Sequence, residues 1–578
     1  MPTAHVDTYA ADHLPPPDQW PDLIFQGPAL QALAQRQTLN AAAELLDGAV
    51  ARGWGERPCI RAEGLVWTYA QLLQRVDRIA QVLVQDLGLV PGNRVLLRAP
   101  NTPMMAACWL AVVKAGGIAV ATMPLLRARE LRVILDKARI SHALCESALS
   151  QALLEAAEGS TLRAVGWFGG AGAGAGAVAG TGAGTETPPS TSTSTSTSTS
   201  TSTPQTPHTP HTLNLEAAMA AHPQPFKAVP TAATDTAMMA FTSGTTGVPK
   251  ATMHFHRDLI AACLCWPEHI LQPTPQDVFI GSPPLAFTFG LGGLLIFPMH
   301  AGASTVLLAQ ASPPMLLQAI ARHGATIVFT SPTSYRAMAA AGGEALRGGT
   351  LRECVSAGEA LPAATRTLWK QTTGLDMLDG IGSTELLHIF ISAPSAQSRP
   401  GATGQVVPGY EARIVDEAGQ PVPDGTVGRL AVRGPTGCRY LDDARQRHYV
   451  QGGWNLTGDA YIRDAQGWFH YVSRTDDMIV SSGYNIGAPE VEDALMSHPA
   501  VAECGVIGVP DEERGQIVKA YVVLRAGQAA DEATAQALQD HVKAVIAPYK
   551  YPRAVRFLEA LPRTETGKLQ RFRLRDLP

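Results

Sequence analysis

Amphipathic helical patterns alternate with short apolar runs along the first part of the chain. The segment YAQLLQRVDRIAQVLVQ at 69–85 has helical periodicity, whereas RVLLRA at 94–99 and GIAVATM at 117–123 are typical of strands. The runs STVLLA at 304–309 and ATIVFT at 325–330 repeat the strand pattern. Strands that alternate with helices indicate an α/β fold, layered around a largely parallel sheet.

The chain has 578 residues, which is too long for one ordinary hydrophobic core. A second pattern begins after SRTDDMIVSSGYN at 473–485, where helices and strands follow in an α+β order. We therefore expect a large N-terminal domain at 1–475 and a small α+β domain at 476–578. The helices of the small domain are predicted at 489–499 and 532–546, and its strands at 501–509, 517–524 and 554–561.

Charge and cysteine spacing argue against several classes of protein. The net charge of −5 does not suit a nucleic-acid-binding surface or a polybasic membrane anchor. The eight cysteines are scattered without the paired spacing of a zinc site, which is typical of a reduced, cytoplasmic protein. The opening residues contain prolines and acids but no apolar core, so we expect no secretory signal.

The most apolar window, at 104–123, is interrupted by Lys114 and by the pair Gly116 and Gly117. A buried helix that ends at the glycines and is followed by a strand explains this window better than a membrane span does. We accordingly expect no membrane partner.

Residues 169–212 break the α/β pattern with a Gly/Ala-rich run, a Ser-Thr alternation and the sequence TPQTPHTPHT. The segment has almost no large apolar side chains, so it cannot offset the entropy cost of its own ordering. We expect a disordered surface insertion within the large domain, which a fold tolerates because long surface loops cost little. A modification or tethering site is the alternative for this segment.

The stretch FTSGTTGVPK at 241–250 crowds hydroxyls, two glycines and a lysine into one turn. Glycine lets the backbone approach a ligand, successive N–H groups can hold an anion, and Lys250 adds positive charge. These features suit a polyphosphate, although Ser/Thr/Gly clusters also form ordinary polar turns. A proline separates Val248 from Lys250, which does not fit a Walker A loop, so a kinase or P-loop ATPase is disfavoured.

Further motifs follow along the chain: SAGEALP at 356–362, DGIGSTE at 379–385, TGD at 457–459, the Arg474 of SRTDD, and PRTETGKLQR at 562–571. Together with FTSGTTGVPK they resemble, in the same order, the motifs of the adenylate-forming superfamily of acyl-CoA synthetases, adenylation domains and luciferases. The resemblance covers nearly the whole chain apart from the insertion. It implies the adenylate-forming enzyme fold, in which the small C-terminal domain is mobile.

The resemblance implies a reaction that uses ATP, Mg²⁺ and coenzyme A. A carboxylate is a poor electrophile, and joining it to AMP supplies a leaving group that a thiol can displace. Lys568 would bridge the carboxylate and the α-phosphate, placing positive charge where two anions meet; the alternative is a solvent-exposed lysine in a flexible tail. Glu385 would hold Mg²⁺, a cation that prefers oxygen ligands, with Thr245 nearby.

The same resemblance assigns the nucleotide and coenzyme A contacts. Asp459 would accept from the ribose hydroxyls and Arg474 would donate to them, whereas each alone would suggest a surface charge pair. Asp476 stands at the position that resembles the family's hinge. Gly483 would give room to the pantetheine arm. Asn485 stands where some relatives carry an arginine near the CoA phosphate. The residues expected to bind ATP or coenzyme A are Thr242, Ser243, Gly244, Thr246, Gly247, Lys250, Gly358, Glu359, Asp379, Gly380, Ile381, Gly382, Ser383, Thr384, Asp459, Arg474 and Gly483.

Two stretches resemble walls of the acyl pocket, SPPLAFTFGLGG at 282–293 and ELLHIF at 385–390. His388 follows Glu385 by three residues, on about the same helical face if the segment is helical, and could bond a ring substituent or the carboxylate; a satisfied core histidine is the alternative. The residues expected to form a short, flat slot for a planar ring are Phe287, Thr288, Phe289, Gly290 and His388.

The run GSTELLHIF resembles aryl-CoA ligases of the benzoate type. The opening HLPPPDQWPDLIF and the run GSPPLAFTFGLGG are most similar to 2-aminobenzoate (anthranilate)–CoA ligases. Benzoate, salicylate and other small aryl acids stay open as substrates, because one methyl or hydroxyl group shifts pocket selectivity by only about 1–3 kcal/mol.

Two other functions compete with an aryl-CoA ligase. An adenylation enzyme could load a carrier protein instead of coenzyme A. A non-catalytic binder would have lost charged groups such as Lys568, Glu385 and Asp459, which this chain retains. The oligomeric state is left open between monomer and homodimer.

Overall fold

The computed structural model describes residues 3–170, 210–242, 249–481, 484–511, 514–546, 548–563 and 569–577, and of residues 476, 480, 484, 485 and 515 only the backbone. The described helices are α1 (Tyr9–Asp12), α2 (Pro28–Gln35), α3 (Tyr69–Gln81), α4 (Pro103–Lys114), α5 (Ala128–Lys137), α6 (Ser150–Ala157), α7 (Leu215–Ala220), α8 (His256–Leu264), α9 (Thr288–Leu291), α10 (Phe297–Ala301), α11 (Pro313–His323), α12 (Pro332–Ala340), α13 (Ala363–Thr373), α14 (Gln446–Tyr449), α15 (Ala488–Met496), α16 (Glu532–Val545) and α17 (Arg571–Arg575).

The described strands are β1 (Pro58–Ala62), β2 (Leu65–Thr68), β3 (Arg94–Arg98), β4 (Ile118–Thr122), β5 (His142–Glu146), β6 (Ala164–Phe168), β7 (His211–Asn214), β8 (Thr236–Thr242), β9 (Lys250–Phe255), β10 (Val278–Gly281), β11 (Ser304–Val306), β12 (Ile327–Thr330), β13 (Glu353–Ser356), β14 (Met377–Gly382), β15 (Ile389–Ser392), β16 (Gln405–Val406), β17 (Glu411–Val415), β18 (Gly428–Arg433), β19 (Val450–Gln451), β20 (Trp454–Arg463), β21 (Phe469–Arg474), β22 (Ile479–Ser481), β23 (Tyr484–Ile486), β24 (Val501–Asp511), β25 (Gly515–Leu524) and β26 (Ala554–Phe557). All of the helices and strands predicted above are confirmed, with their ends shifted by a few residues.

Two large sheets form the N-terminal part of the fold, which confirms the predicted layered α/β class. One has seven strands in the order β7-β6-β5-β3-β4-β8-β9, and the other nine in the order β16-β15-β14-β13-β12-β10-β11-β1-β2. Neighbouring strands run parallel through the middle of both sheets, and antiparallel pairs occur only at their ends, among the described residues. The parallel strands therefore need helical crossovers, which supply the layers between and outside the sheets.

Helix α4 shows how the apolar window at 104–123 is accommodated. It contacts β3 and β4 of the seven-stranded sheet and β1 of the nine-stranded sheet, so it lies between the two. Its last residue, Lys114, is 1% exposed, and its Nζ lies 2.7 Å from an Asp47 oxygen and 2.5 Å from an Asp77 oxygen. These partners compensate the buried charge. In the part of the chain that the structure describes, no helix has the length and apolarity to cross a membrane.

A small C-terminal domain follows with its own core. Strands β22 to β26 form a sheet in the order β23-β22-β25-β24, with β26 beside β25, and α15 and α16 pack on it around Val491, Val506 and Leu538. A further five-stranded sheet, built from β17 to β21, precedes this domain. The predicted division into one large and one small domain is confirmed.

The two domains touch through α13 and α15. Arg336 on α12 reaches across, with Nη1 3.4 Å from the Ala502 carbonyl oxygen and Nη2 2.9 Å from Thr365 Oγ1. On α15, burial together with the neighbouring Glu492 raises the pKa of Asp493 to about 7, against the opposing effects of the Ala363 N–H and Arg336.

The insertion begins and ends at two strands that are paired side by side. Strands β6 and β7 are parallel, with Ala164 opposite His211 and Trp167 opposite Asn214. Residues 171–209 of the insertion lie outside the described residues. His211 and Thr212, at the end of the predicted insertion, belong to β7 instead. Because the two strands are parallel, the end of β6 and the start of β7 lie at opposite ends of the pair. The chain that connects them must therefore span the length of β6, a distance of about 13 Å at about 3.3 Å per residue.

We expect that an eight-residue Gly/Ser linker can replace residues 171–209 without changing the melting temperature or the turnover rate. Such a linker spans on average about 16 Å, enough for the return. Direct fusion of Gly170 to Pro210 serves as the matched comparison, because too few residues then remain, and it should release β7 and lower the melting temperature. Loss of stability in the linker variant would show that the insertion itself supports the fold.

Replacing Asp493 by Asn should make thermal stability less sensitive to pH. The folded pKa of about 7 lies above the usual value of 3.8, so the folded state binds the proton more tightly. The contribution of the protonated Asp493 carboxyl to the free energy of unfolding is present in full below about pH 4 and is lost as pH rises through about 7. The variant should match the wild type at about pH 4 and melt at a higher temperature at about pH 8. Glu559→Gln, at an exposed position, is the control, and parallel curves for Asp493→Asn and wild type would contradict the expectation.

Candidate active site

A cavity of about 880 Å³ opens where the sheets and the C-terminal domain meet. The large domain contributes residues that follow β13, residues of β14, and the facing parts of β20 and β21. The C-terminal domain contributes α15 and residues around α17. In parallel sheets the loops beyond the carboxyl ends of the strands form the binding crevice, which is where Gly358 and Glu359 lie after β13.

Most of the described residues predicted to contact the nucleotide line this one cavity. They are Lys250, Gly358, Glu359, Asp379, Gly380, Ile381, Gly382, Ser383, Glu385, Asp459 and Arg474. Thr242 and Thr384 are described but do not line it. Ser243, Gly244, Thr245, Thr246, Gly247, Gly483 and Lys568 lie outside the described residues, as do the side chains of Asp476 and Asn485.

A tyrosine joins the lysine and the glutamate that the motifs single out. The Tyr440 hydroxyl donates to Glu385 Oε1 at 2.5 Å and accepts from Lys250 Nζ at 2.9 Å, while Lys250 Nζ lies 3.4 Å from Glu385 Oε1. Burial raises the pKa of Tyr440, and the Glu385 carboxylate raises it further, so the phenol stays protonated as a donor. One oxygen of Glu385 is thereby held in place, and the other remains for a cation.

Backbone pairing brings Tyr440 to this position. The segment around it runs antiparallel beside β9, with the Met253 N–H donating to the Arg439 carbonyl and the Leu441 N–H to the Ala251 carbonyl. Lys250 begins β9, directly opposite Thr242 at the end of β8. Sequence reasoning missed Tyr440, because no short motif marks it; the run RYLDD gives no sign of its pairing with β9.

Asp459 and Arg474 face one another across neighbouring strands. They are directly paired in the β20–β21 register, and Arg474 Nη1 lies 3.0 Å from Asp459 Oδ1. Gly458 has a φ of 77°, which favours glycine, and a Cβ there would lie 2.7 Å from Arg474 Nη2 and push the guanidinium from its place. The pair that was predicted from separate motifs is therefore one preformed donor–acceptor unit on the cavity wall.

Asp379 presents a second carboxyl to the cavity. Burial raises its pKa to about 7, against the opposing charge of Arg366. The raised pKa favours the protonated form of Asp379, and a protonated carboxyl can donate as well as accept.

None of the five residues predicted to form the acyl slot lines the cavity, and of these five the structure brings Phe289 and His388 into ring contact. The His388 ring lies 5.7 Å from Phe289, 4.5 Å from Phe297, 5.5 Å from Trp266 and 6.5 Å from Phe329, between ring centroids. We call these four rings around His388 the aromatic box. A Cβ on Gly292 would come within 2.4 Å of His388 Cδ2, so this glycine allows α9 and its continuation to close on the imidazole.

His388 is buried, yet neither of its ring nitrogens has a hydrogen-bond partner among the described residues. Burial lowers its pKa to about 3, against the opposing effect of the Phe289 backbone, which lies near the ring but outside hydrogen-bond geometry, so the ring is neutral and offers one donor and one acceptor. Trp266 Nε1, in the same box, is also buried and without a described partner. Gly382 connects box and cavity, since it lines the cavity and a Cβ on it would lie 2.6 Å from the His388 carbonyl oxygen.

The condition under which His388 and Glu385 would share a helical face is not met. Residues 383–388 form turns and bends between β14 and β15 rather than a helix, and Leu387 has a φ of 72°. The left-handed conformation at Leu387 redirects the chain, so Glu385 and His388 point to different environments, the cavity and the box. His388 packs among rings as a core histidine would, while neither of its nitrogens has a partner in hydrogen-bond geometry within the described structure.

Two family models match the chain. The family model "AMP-binding enzyme" matches residues 48–439, and "AMP-binding enzyme C-terminal domain" matches 490–568. A benzoate–CoA ligase of Thauera aromatica is 34% identical over 93% of this chain and 96% of its own length. A 3-hydroxybenzoate–CoA ligase of Aromatoleum sp. (strain CIB) is 30% identical over 93% of this chain and 97% of its own.

Two solved structures are also similar to the chain. The crystal structure of the anthranilate CoA ligase AuaEII in complex with anthranoyl-AMP superposes with a TM-score of 0.81 at 31% identity, over 94% of this chain and 98% of that one. A benzoate CoA ligase from Burkholderia xenovorans LB400 superposes with a TM-score of 0.78 at 31% identity, over 93% of this chain and 99% of that one.

Replacing Tyr440 by Phe should weaken cation binding at Glu385. The substitution removes the hydroxyl that fixes the carboxylate and separates it from Lys250, an interaction with a charged group of about 1.5–3 kcal/mol. The Mg²⁺ concentration for half-maximal nucleotide binding should rise about tenfold or more, measured by calorimetric titration. Tyr449→Phe is the matched control, since its hydroxyl lies 3.4 Å from Ser383 Oγ and makes no described contact with Glu385. An unchanged Mg²⁺ requirement would contradict the role of the hydroxyl.

Proposed function

This chain belongs to the AMP-binding enzyme family, and we propose that it is an ATP-dependent aryl-CoA ligase. It joins a small aromatic carboxylate to AMP, releasing pyrophosphate, and then transfers the aryl group to the thiol of coenzyme A. One observation carries the proposal: the motif residues for nucleotide and cation line a single cavity, and an aromatic box containing a neutral histidine lies directly behind it.

The chemistry of the first step requires that two anions meet. We assign Lys568 to the carboxylate and α-phosphate, and Lys250 together with the 242–247 stretch to the outer phosphates. Lys250 is 21% exposed at its side chain and stacks 4.9 Å from the Tyr440 ring, so it is held at the cavity wall in advance of the nucleotide. Asp459 would accept from the ribose hydroxyls while Arg474 orients it.

Glu385 fits a Mg²⁺ site of the kind that depends on the substrate. No cluster of three or more His, Cys, Asp or Glu side chains within the described ranges could hold a metal alone. Mg²⁺ commonly binds through one or two carboxylates with substrate phosphates and waters. Glu385, with one oxygen fixed by Tyr440 and the hydroxyl of Thr245 assigned beside it, suits that mode. The ion would neutralise charge on the phosphates.

The aromatic box supports a planar acid. Benzoate and hydroxybenzoate are named for relatives and anthranilate for a solved neighbour. We propose 2-aminobenzoate as the preferred acid, because an ortho amino group can bond a neutral imidazole that otherwise lacks a partner. Leaving a buried polar group unpaired costs about 1–3 kcal/mol, which a substrate amine would recover. Salicylate, with an ortho hydroxyl, is the second candidate for the same reason.

We further propose a domain boundary at 475/476, with Asp476 as the hinge about which the C-terminal domain turns between the two steps, and Gly483 beside the incoming pantetheine. Strand β21 ends at Arg474 and the C-terminal sheet begins with β22 at Ile479, which leaves a short connection there. A cytoplasmic location is supported by the cysteines, all eight of which are free thiols.

We expect pyrophosphate release with ATP, Mg²⁺ and coenzyme A to be fastest for 2-aminobenzoate within a panel that includes benzoate, 2-hydroxybenzoate, cyclohexanecarboxylate, octanoate and an amino acid. Aryl-CoA should appear in the mass spectrum. In His388→Phe, the preference for 2-aminobenzoate over benzoate should fall about tenfold, whereas His269→Phe, at an exposed site, should keep it.

Each contrary result has a distinct meaning. Activity confined to octanoate or the amino acid would overturn the aryl assignment and keep the adenylate chemistry. Transfer to a phosphopantetheinyl protein but not to coenzyme A would favour the carrier-loading alternative. An unchanged preference in His388→Phe would remove His388 from substrate selection.

A further inference from the structure

Glu385, the residue assigned to the cation, lies in a four-residue turn between β14 and β15. The Leu387 N–H donates to the Thr384 carbonyl oxygen at 3.2 Å and closes this turn, and Leu387 has a φ of 72°. We call residues 384–387 the glutamate turn. Glu385 occupies its second position, so the place of the carboxylate depends on where the backbone of the turn is held.

A buried histidine holds the glutamate turn from one side. His254 lies on β9, four residues after Lys250, and is 0% exposed. Its Nε2 lies 2.8 Å from the Thr384 carbonyl oxygen. Because a carbonyl oxygen only accepts, this nitrogen carries a proton and donates it to the bond. The first residue of the turn is thereby tied to the strand that begins at Lys250.

A buried threonine holds the glutamate turn from another side. The Thr436 hydroxyl donates to the Leu386 carbonyl oxygen at 2.8 Å, and the Tyr410 hydroxyl in turn donates to Thr436 Oγ1 at 2.9 Å. Thr436 is also 0% exposed. Since it precedes Tyr440 by four residues, this bond ties the turn to the segment that carries the tyrosine.

A buried ion pair lies behind the histidine. Asp258, in the first turn of α8, pairs with Arg439, and both side chains are fully buried. The Asp258 carboxylate also accepts from the Phe255 N–H at 3.0 Å and lies 3.8 Å from Nδ1 of His254, the ring nitrogen that does not face Thr384. Burial alone would raise the pKa of Asp258, but the Arg439 charge outweighs it and holds that pKa below its usual value, so the carboxyl is ionised.

These contacts join the three residues of the cation site through their backbones. Lys250 begins the strand that carries His254, and Tyr440 directly follows Arg439. Glu385 lies in the turn between these two anchored segments. Its Oε1 meets the Tyr440 hydroxyl at 2.5 Å and Lys250 Nζ at 3.4 Å. A displacement of the turn would change both distances, and hydrogen bonds weaken steeply outside their preferred geometry.

We propose that His254 and Thr436 are positioning residues for cation binding, which hold the glutamate turn so that Glu385 faces Lys250 and Tyr440. The inference rests on the proposed function, since it takes Glu385 to bind Mg²⁺ together with the nucleotide. Neither His254 nor Thr436 is among the described residues that line the cavity. Each therefore acts through the backbone of the turn and not through a contact with substrate.

The test measures the binding of ATP to the full-length protein by calorimetric titration at a series of Mg²⁺ concentrations, without a carboxylic acid. In His254→Leu and in Thr436→Val, which each remove one donor to the turn, the Mg²⁺ concentration for half-maximal ATP binding should rise by about threefold to tenfold. The affinity for ATP without Mg²⁺ should stay within about twofold of the wild type, because neither side chain lies at the cavity.

Two conservative variants and a matched control separate positioning from a merely structural role. His254→Gln supplies an amide N–H close to the place of Nε2, and Thr436→Ser keeps the hydroxyl, so both should bring the Mg²⁺ requirement back toward that of the wild type. His256→Leu is the control. This histidine is also 0% exposed, but its Nδ1 accepts from the Ala41 N–H at 3.1 Å, and it makes no described contact with the glutamate turn. The control loses a buried hydrogen bond and should keep the Mg²⁺ requirement of the wild type.

A double variant tests whether His254 acts on the same carboxylate as the tyrosine does. Tyr440 fixes a side-chain oxygen of Glu385, whereas His254 fixes the backbone that carries it. The Mg²⁺ requirement of His254→Leu combined with Tyr440→Phe should therefore rise by less than the product of the two single effects. Melting temperatures of all variants show whether a weaker response to Mg²⁺ follows a loss of stability.

An unchanged Mg²⁺ requirement in both His254→Leu and Thr436→Val, an equal rise in His256→Leu, or no recovery in the conservative variants would overturn the positioning role while the proposed function stands. ATP binding by the wild type that does not respond to Mg²⁺ would overturn the cation site of the proposed function, and this inference with it.

Discussion

The Tyr440 hydroxyl lies where the seven-stranded and nine-stranded sheets of the large domain meet. Lys250 begins β9 of the seven-stranded sheet, Glu385 follows β14 of the nine-stranded sheet, and Tyr440, which lies in the chain between β18 and β19, pairs with β9. The three side chains are 2.5–3.4 Å apart, so the relative placement of the sheets determines whether the cation site exists at all. Core packing between the sheets, as at α4, is therefore a condition for the chemistry, because it sets these distances.

The sequence predicted those parts of the site that lie next to strand ends. Lys250 and the Asp459–Arg474 pair could be placed because short motifs follow or end strands whose apolar runs are recognisable. Tyr440 could not, since it acquires its position from pairing with a segment far away in the chain. The separate directions of Glu385 and His388 have a local cause: Leu387 adopts a left-handed conformation that a leucine seldom takes, and no residue type signals it.

The aromatic box and the cavity next to it differ in the charge of the groups that line them. The cavity gathers ionised groups that pair with one another until anions arrive. The box contains no charged side chain among its named residues, because burial keeps its histidine neutral. The polar atoms of His388 and Trp266 have no partner in hydrogen-bond geometry among the described residues. A neutral donor and acceptor in apolar surroundings discriminate between ring substituents more strongly than a hydrated group would, because a poor match leaves the polar atoms unpaired. In the proposed function, selectivity and activation are thus assigned to separate residues, although Gly382 lines the cavity and also lies against His388.

The C-terminal domain faces the cavity with four acidic residues, Glu490, Glu492, Asp493 and Glu503, which by themselves would repel a polyphosphate. Each is compensated within the described structure. Glu490 pairs with Lys550 at 2.6 Å, Glu492 with Arg571 and Glu503 with Arg563, while burial raises the pKa of Asp493 to about 7. The domain can therefore approach the nucleotide without a net electrostatic penalty from these groups. Glu492 and Glu503 also orient the arginines with which they pair. These acids therefore place ordered guanidinium groups at the cavity wall, although a carboxylate alone would repel phosphate.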